Sequence, residues 1–230
     1  MPERWRQLLP AFLCVAAFAG AVGLADQDSS EDLARRYRVY QAVVREASAA
    51  IERGQYAAAV DACTKAIALA PFTASHYFYR GLALYKLNKH EEAIGDFDRA
   101  LALEPRLASA YLYRGLCRLA RSEYGPALHD YTAALGLDQD DATAHNDLAW
   151  LYATAGDAKF RDPAKALEHA RKAAQLSNEK NAEILDTLAR ALFVNGKIEE
   201  AEETERKALG LAPGNTTFKD HLSTYSRRTR

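Results

Sequence analysis

Laid over itself at a shift of 34 residues, the chain lands on its own pattern. Tyr77 meets Tyr111, Arg80 meets Arg114 and Gly81 meets Gly115. Further on, Ala93 meets Ala127, Phe97 meets Tyr131 and Ala100 meets Ala134. The same shift backward carries Gly81 to Ala47, Ala93 to Ala59, Ala100 to Ala66 and Pro105 to Pro71. Two further copies follow with small offsets. Leu148, Ala149, Tyr152, Ala166 and Ala173 form one, stretched by five residues in the region 156–161. Leu188, Ala189, Leu192, Ala201, Ala208 and Pro213 form the other. A period of this length marks units that cannot bury an apolar face alone and must stack on their neighbours.

Each unit divides into two apolar stripes of helical period with a turn signal between them. The turns are Arg53-Gly54-Gln55, Leu87-Asn88-Lys89, Arg121-Ser122-Glu123 and Asn195-Gly196-Lys197. Pro71, Pro105 and Pro213 close the second helices, which they cannot continue. In the stretched copy Asp162-Pro163 reads as a cap followed by proline at the first helical position. Ser29-x-x-Asp32 opens a long helix ahead of the first copy. Residues 216–228 form one more amphipathic helix, with Phe218, Leu222 and Tyr225 on its packing side. An alanine-rich chain, 49% hydrophobic and 27% charged, is helical text. An all-β fold is excluded. Gly81 and Gly115 are expected to be small because a neighbouring helix backbone passes close by. Ala93, Ala127, Ala166 and Ala201 play the same part on the second helices.

The aromatic–x–x–Arg–Gly start of the second copy, its Ala93, Phe97 and Ala100, and its closing Pro105 resemble the tetratricopeptide repeat family. The resemblance spans residues 40–215 in five copies: 40–73, 74–107, 108–141, 142–181 and 182–215. It weakens at Gln139, which replaces the closing proline of the third copy. It weakens also at Ala47 and Cys63, which replace the glycine and the aromatic of the first. It implies an all-α fold, an α-solenoid of antiparallel helix pairs wound into a right-handed superhelix. Residues 26–39 precede the repeats as a helical extension, and 216–230 follow as a capping helix with a basic tail.

In this family the first helix of each pair lines a concave groove. The resemblance therefore implies partner contacts from Ser75, Phe78, Leu82 and Tyr85, then Leu112, Leu116 and Leu119. Asn146 and Trp150 follow, and Asp186, Arg190 and Phe193 come last. Leu82, Leu116 and Trp150 should form one ladder along the groove. Val44, Ser48 and Leu112 stand where the family's chaperone-tail binders carry a Lys, Asn and Arg clamp, so that ligand class is rejected. An apolar groove with few polar groups suits an amphipathic helix or an extended hydrophobic peptide. The alternatives are that these side chains fill the interior or form a self-association face.

Residues 1–25 read as an export signal. Arg4 and Arg6 precede an apolar run from Leu8 to Ala25, small residues crowd its end, and Asp26-Gln27-Asp28 follows. Cleavage is expected after Ala25, with Ala21 as second choice. The competing reading is an uncleaved membrane anchor over residues 8–25, and membrane contact is expected only then. Cys14 is preceded by bulky Leu13, which argues against a lipoprotein.

The formal net charge of −1 points neither to nucleic acid nor to an anionic surface as partner. His76, His90, His129, His145, His169 and His221 lack the spacing of a metal-binding helix, and no CxxC or phosphate-cradling loop occurs. Neither cofactor nor metal is expected. Cys63 and Cys117 are read as small buried side chains rather than a disulfide. Acidic pairs such as Glu91-Glu92 and Glu199-Glu200 open helices, where they complement the dipole. The resulting expectation is an exported, non-catalytic protein-binding module, a scaffold or assembly factor. The alternatives are a membrane-anchored subunit of an envelope complex, or an enzyme subunit that uses the loop 156–162.

Overall fold

A computed structural model of the chain describes residues 30–228. The export segment and the Ser29 cap lie outside the described residues. Eleven α-helices and one 3-10 turn follow in order, and no strand occurs among the described residues. The helices are α1 (Ser30–Glu52), α2 (Tyr56–Leu69), α3 (Ala74–Lys86), α4 (His90–Leu103), α5 (Ala108–Ala120) and α6 (Tyr124–Leu137). They continue as α7 (Ala142–Thr154), α8 (Pro163–Leu176), α9 (Ala182–Val194), α10 (Ile198–Leu211) and α11 (Thr216–Ser226). The chain forms two compact units, one up to Tyr113 and one from Arg114.

Two kinds of turn hold the helices in series. Within a pair, one residue goes into the left-handed region: Gly54 at φ 70°, Asn88 at 60°, Ser122 at 61° and Gly196 at 76°. The next amide then donates to a carbonyl five residues back, as Gln55 does to Ala50 at 2.8 Å and Lys89 to Leu84 at 2.9 Å. Glu123 to Arg118 at 2.9 Å and Lys197 to Leu192 at 3.0 Å repeat it, a Schellman closure in each case. Between pairs of the second unit, side chains cap the incoming helix. Asp141 accepts from Thr143 and Ala144, and Asn181 from Glu183 and Ile184. The stretched copy replaces its tight turn with the 3-10 turn Ala158–Phe160, and α8 restarts at Pro163 with Asp162 accepting from the Lys165 amide. Asn215 spends its side chain capping α11 through the Phe218 amide.

In the first unit α1 packs on α2, α2 on α3 and α3 on α4. In the second, α7 contacts α6, α8 and α9, while α9 packs on α8 and α10, and α10 on α11. Ala93, Ala127, Ala166 and Ala201 are all fully buried. At the glycines the expected cause needs correction. No helix backbone crowds Gly81 or Gly115. A Cβ on Gly81 would lie 3.0 Å from the Phe97 ring, and one on Gly115 would lie 2.6 Å from the Tyr131 ring. The glycine makes a notch, and the aromatic of the second helix fills it.

That pairing explains the departures in other copies. In two copies whose notch holds alanine, the opposite position is small: Ala47 and Cys63 share one buried cluster, and Ala149 and Ala170 another. Charges reinforce two pairs. Arg80 donates from Nε and Nη2 to both oxygens of Asp96 at 2.8 and 2.7 Å. Arg114 repeats this fork on fully buried Asp130 at 3.0 and 2.6 Å, and Arg118 adds a third bond at 2.8 Å. On the final pair, Phe218 and Tyr225 of α11 are buried, with Phe218 against Leu185 and Ala208.

Candidate functional site

The structure divides the expected partner contacts into two groups. Phe78, Leu82 and Leu112 are buried, at 5%, 2% and 6% exposure. Phe78 is turned inward by the rings of Phe97 and Tyr113, whose centroids lie 5.9 and 6.1 Å away. These three are core residues and offer a partner almost nothing. The ladder expected from Leu82, Leu116 and Trp150 loses its first rung. Asp186 is also buried, and His221 lies 2.6 Å from its carboxylate. Ser75, Tyr85, Leu116, Leu119, Asn146, Trp150, Arg190 and Phe193 remain part-exposed.

Six of those eight belong to the second unit. Leu116 and Leu119 come from α5, Asn146 and Trp150 from α7, Arg190 and Phe193 from α9. The spacing of three or four residues within each helix puts each couple on one face. Polar capacity is left over there. Asn146 Nδ2 donates to Asp147 Oδ1 at 3.4 Å, but Asn146 Oδ1, Asp147 Oδ2 and Arg190 Nε are buried atoms without a hydrogen-bond partner. Burial pushes the Asp147 carboxyl up to about 7; the Asn146 bond opposes this, and Asp141 and Glu183 add to it. Phe193 is flanked by two guanidinium groups, Arg190 at 5.9 Å and Arg228 at 5.1 Å from its centroid. An apolar surface with unmet donors and acceptors fits a peptide, which brings both apolar side chains and backbone polar groups.

The loop 156–162 puts its ionisable groups to structural use. Asp157 pairs with Lys159 at 3.0 Å and caps the 3-10 turn, and that bonding holds its carboxyl below the usual range. Phe160 packs on Tyr124, with ring centroids 5.7 Å apart.

Three features were not expected from the sequence. His145 and His169, 24 residues apart, meet with their Nδ1 atoms 2.9 Å apart. Burial, and then the neighbouring His145, lower the His169 pKa. An open cleft of about 420 Å³ is lined by α8, α9 and α10, with Arg171 and Lys207 facing Glu200 and Glu203. Asp186, Glu205 and His221 bring three possible ligand atoms within 4.8 Å of one another. Glu205 is fully buried, no nitrogen or hydroxyl donor bonds its oxygens, and its carboxyl faces that of Asp186. Burial and the charge of Asp186 raise its carboxyl to about 8. Residues 16 to 35 apart on three helices carry no local signal. Cys63 and Cys117 are free and buried, and burial pushes both thiols up to about 12.

Comparison with known proteins identifies the repeat. The family model described as tetratricopeptide repeat matches residues 44–108, 80–127 and 158–216, together more than half of the chain. Among solved structures, the thermophilic TPR protein TTC0263 of Thermus thermophilus is 20% identical with a TM-score of 0.64, covering 81% of this chain and 98% of its own. MamA from Desulfovibrio magneticus RS-1 is 21% identical with a TM-score of 0.64, covering 79% and 97%. YrrB, described as a TPR protein with an unusual peptide-binding site, is 17% identical with a TM-score of 0.61, covering 92% and 100%. No curated protein matches the chain.

Proposed function

Because the chain belongs to the tetratricopeptide repeat family, we propose that it is a protein-binding module that holds a peptide segment of a partner. The contact face is that of α5, α7 and α9, with Trp150 at its centre. The observation that carries this reading is the leftover hydrogen-bonding capacity of Asn146, Asp147 and Arg190 among part-exposed apolar side chains. A buried polar atom without a partner costs about 1–3 kcal/mol, and a bound peptide backbone would satisfy such atoms once the side chains over them turn aside. The peptide-binding site described for YrrB is consistent with this use of the fold. A role as scaffold or assembly factor follows from binding without chemistry.

The same reading takes residues 1–25 as an export signal, so the module works outside the cytoplasm. Intact-mass measurement on protein from the native host should find a chain beginning at or near Asp26. A mass that retains residues 1–25, in a membrane fraction, would replace export by anchoring. Binding is tested by a photo-crosslinking residue placed at Leu119 or Asn146 in the host cell envelope. The same partner should be trapped from both positions, and not from part-exposed Lys172 on α8. Trapping from Lys172 alone would move the contact to the second helices.

A further inference from the structure

We propose that Asp186, Glu205 and His221 form a binding site for a divalent transition-metal ion, zinc being the fitting representative, that ties α11 to the last helix pair.

Counting from the closing proline of each copy exposes the substitution that makes this site. Phe78 and Phe97 stand 27 and 8 residues before Pro105, and Tyr113 stands 8 after it. Their three rings form one cluster, with centroids 5.9, 6.1 and 6.2 Å apart. Asp186 and Glu205 stand 27 and 8 residues before Pro213, and His221 stands 8 after it. The positions that carry an all-aromatic contact between two copies therefore carry Asp, Glu and His where the last copy meets α11. Other copies answer a lost aromatic with a small side chain, Cys63 or Ala170. The last copy answers with a carboxyl that is fully buried.

A buried carboxyl group needs a compensating partner. His221 satisfies Asp186 at 2.6 Å, but Glu205, which points into the same cluster, has no donor beyond a proton shared with Asp186. A dication supplies what two carboxylates facing one imidazole lack. One imidazole nitrogen and two carboxylate oxygens suit zinc better than calcium or magnesium, which prefer oxygen alone. Bonds of about 2.0–2.2 Å put ligand atoms roughly 3–3.5 Å apart. Ligand atoms already within 4.8 Å reach that by side-chain rotation. His221 is part-exposed, which leaves a side for water as the fourth ligand and a route for entry. The ion would then join α9, α10 and α11, one ligand from each.

The test titrates zinc chloride into the full chain after chelator treatment, by calorimetry and by thermal melting. One zinc per chain should bind, and the melting temperature should rise with zinc, as for any ligand that binds only the folded state. Glu205→Gln and His221→Ala should weaken binding by more than the roughly 10–100-fold that loss of an outer-shell group costs. In chelator Glu205→Gln should melt no lower than the parent, since the amide can donate to Asp186 in place of the shared proton. Should it fail to fold, Asp186→Asn carries the same expectation for zinc binding. His169→Ala, which dismantles the His145–His169 pair, should bind zinc like the parent. Absence of zinc binding would overturn the site and leave a proton shared between two carboxyls. Binding that survives Glu205→Gln, or that disappears only in His169→Ala, would overturn it as well.

Discussion

His76 shows how much a single side chain can owe to its surroundings. It is 3% exposed, its Nε2 lies 3.1 Å from the Tyr40 hydroxyl and its Nδ1 lies 3.4 Å from the Ala70 carbonyl. Both contacts are satisfied by the neutral ring: Nδ1–H donates to the carbonyl and Nε2 accepts from Tyr40. Burial drives the pKa down to about 4, against a small opposing effect of the Ala70 bond. The unfolded chain therefore takes up a proton near pH 6.5 that the folded chain refuses until about pH 4. Stability from this residue is complete above pH 6.5 and is lost as pH falls through that window, by on the order of 3 kcal/mol. Urea midpoints at about pH 7.5 and about pH 4.5 for the parent and His76→Gln should show the gap between the two proteins closing at the lower pH. A gap of equal size at both would mean that His76 is not held neutral. The identity of His76 as a core residue was not legible, because a lone histidine has no period of its own.

Between elements, the notch and its filler are the unit of recognition. The period, the small residues and the closing prolines are all local in sequence, which is why the helix pairs and their turns could be read directly. What lies opposite Gly81 or Gly115 is 16 residues away on another helix, so the notch was seen and its cause mistaken. The Arg80–Asp96 and Arg114–Asp130 forks span the same interval and escaped notice for the same reason. The distances separate the two glycines. A methyl at Gly81 needs Phe97 to give by a few tenths of an ångström, while one at Gly115 lies 2.6 Å from Tyr131. Alanine favours a helix over glycine by about 1 kcal/mol, whereas overpacking costs about 1–3 kcal/mol. Gly81→Ala should therefore be close to neutral and Gly115→Ala destabilising by roughly 1–2 kcal/mol. Thermal melts of the two variants decide this, and equal effects would mean that the notches are equally tight.

At the scale of the whole chain, an almost neutral sequence of five copies offers no general field for a partner, so binding falls to a local surface. The family resemblance points to the first helices for that surface, but equivalent positions do not have equivalent exposure. Phe78 and Leu112 are core where Asn146 is part-exposed, because neighbouring rings or their absence set how deep each position sits. The second unit keeps the apolar and unsatisfied polar groups on α5, α7 and α9, and the account stands on that face. Trp150 should be its anchor, since a large part-exposed aromatic side chain can dominate interface energetics. The most direct measurement is the affinity of the crosslinked partner for Trp150→Ala, Leu116→Asp and the double variant, each first shown by circular dichroism to be folded. Trp150→Ala should lose about 2 kcal/mol or more, roughly thirtyfold in affinity. Leu116→Asp should lose a similar amount by placing an unpaired charge in the contact. A folded double variant that binds the partner as tightly as the parent would contradict the account.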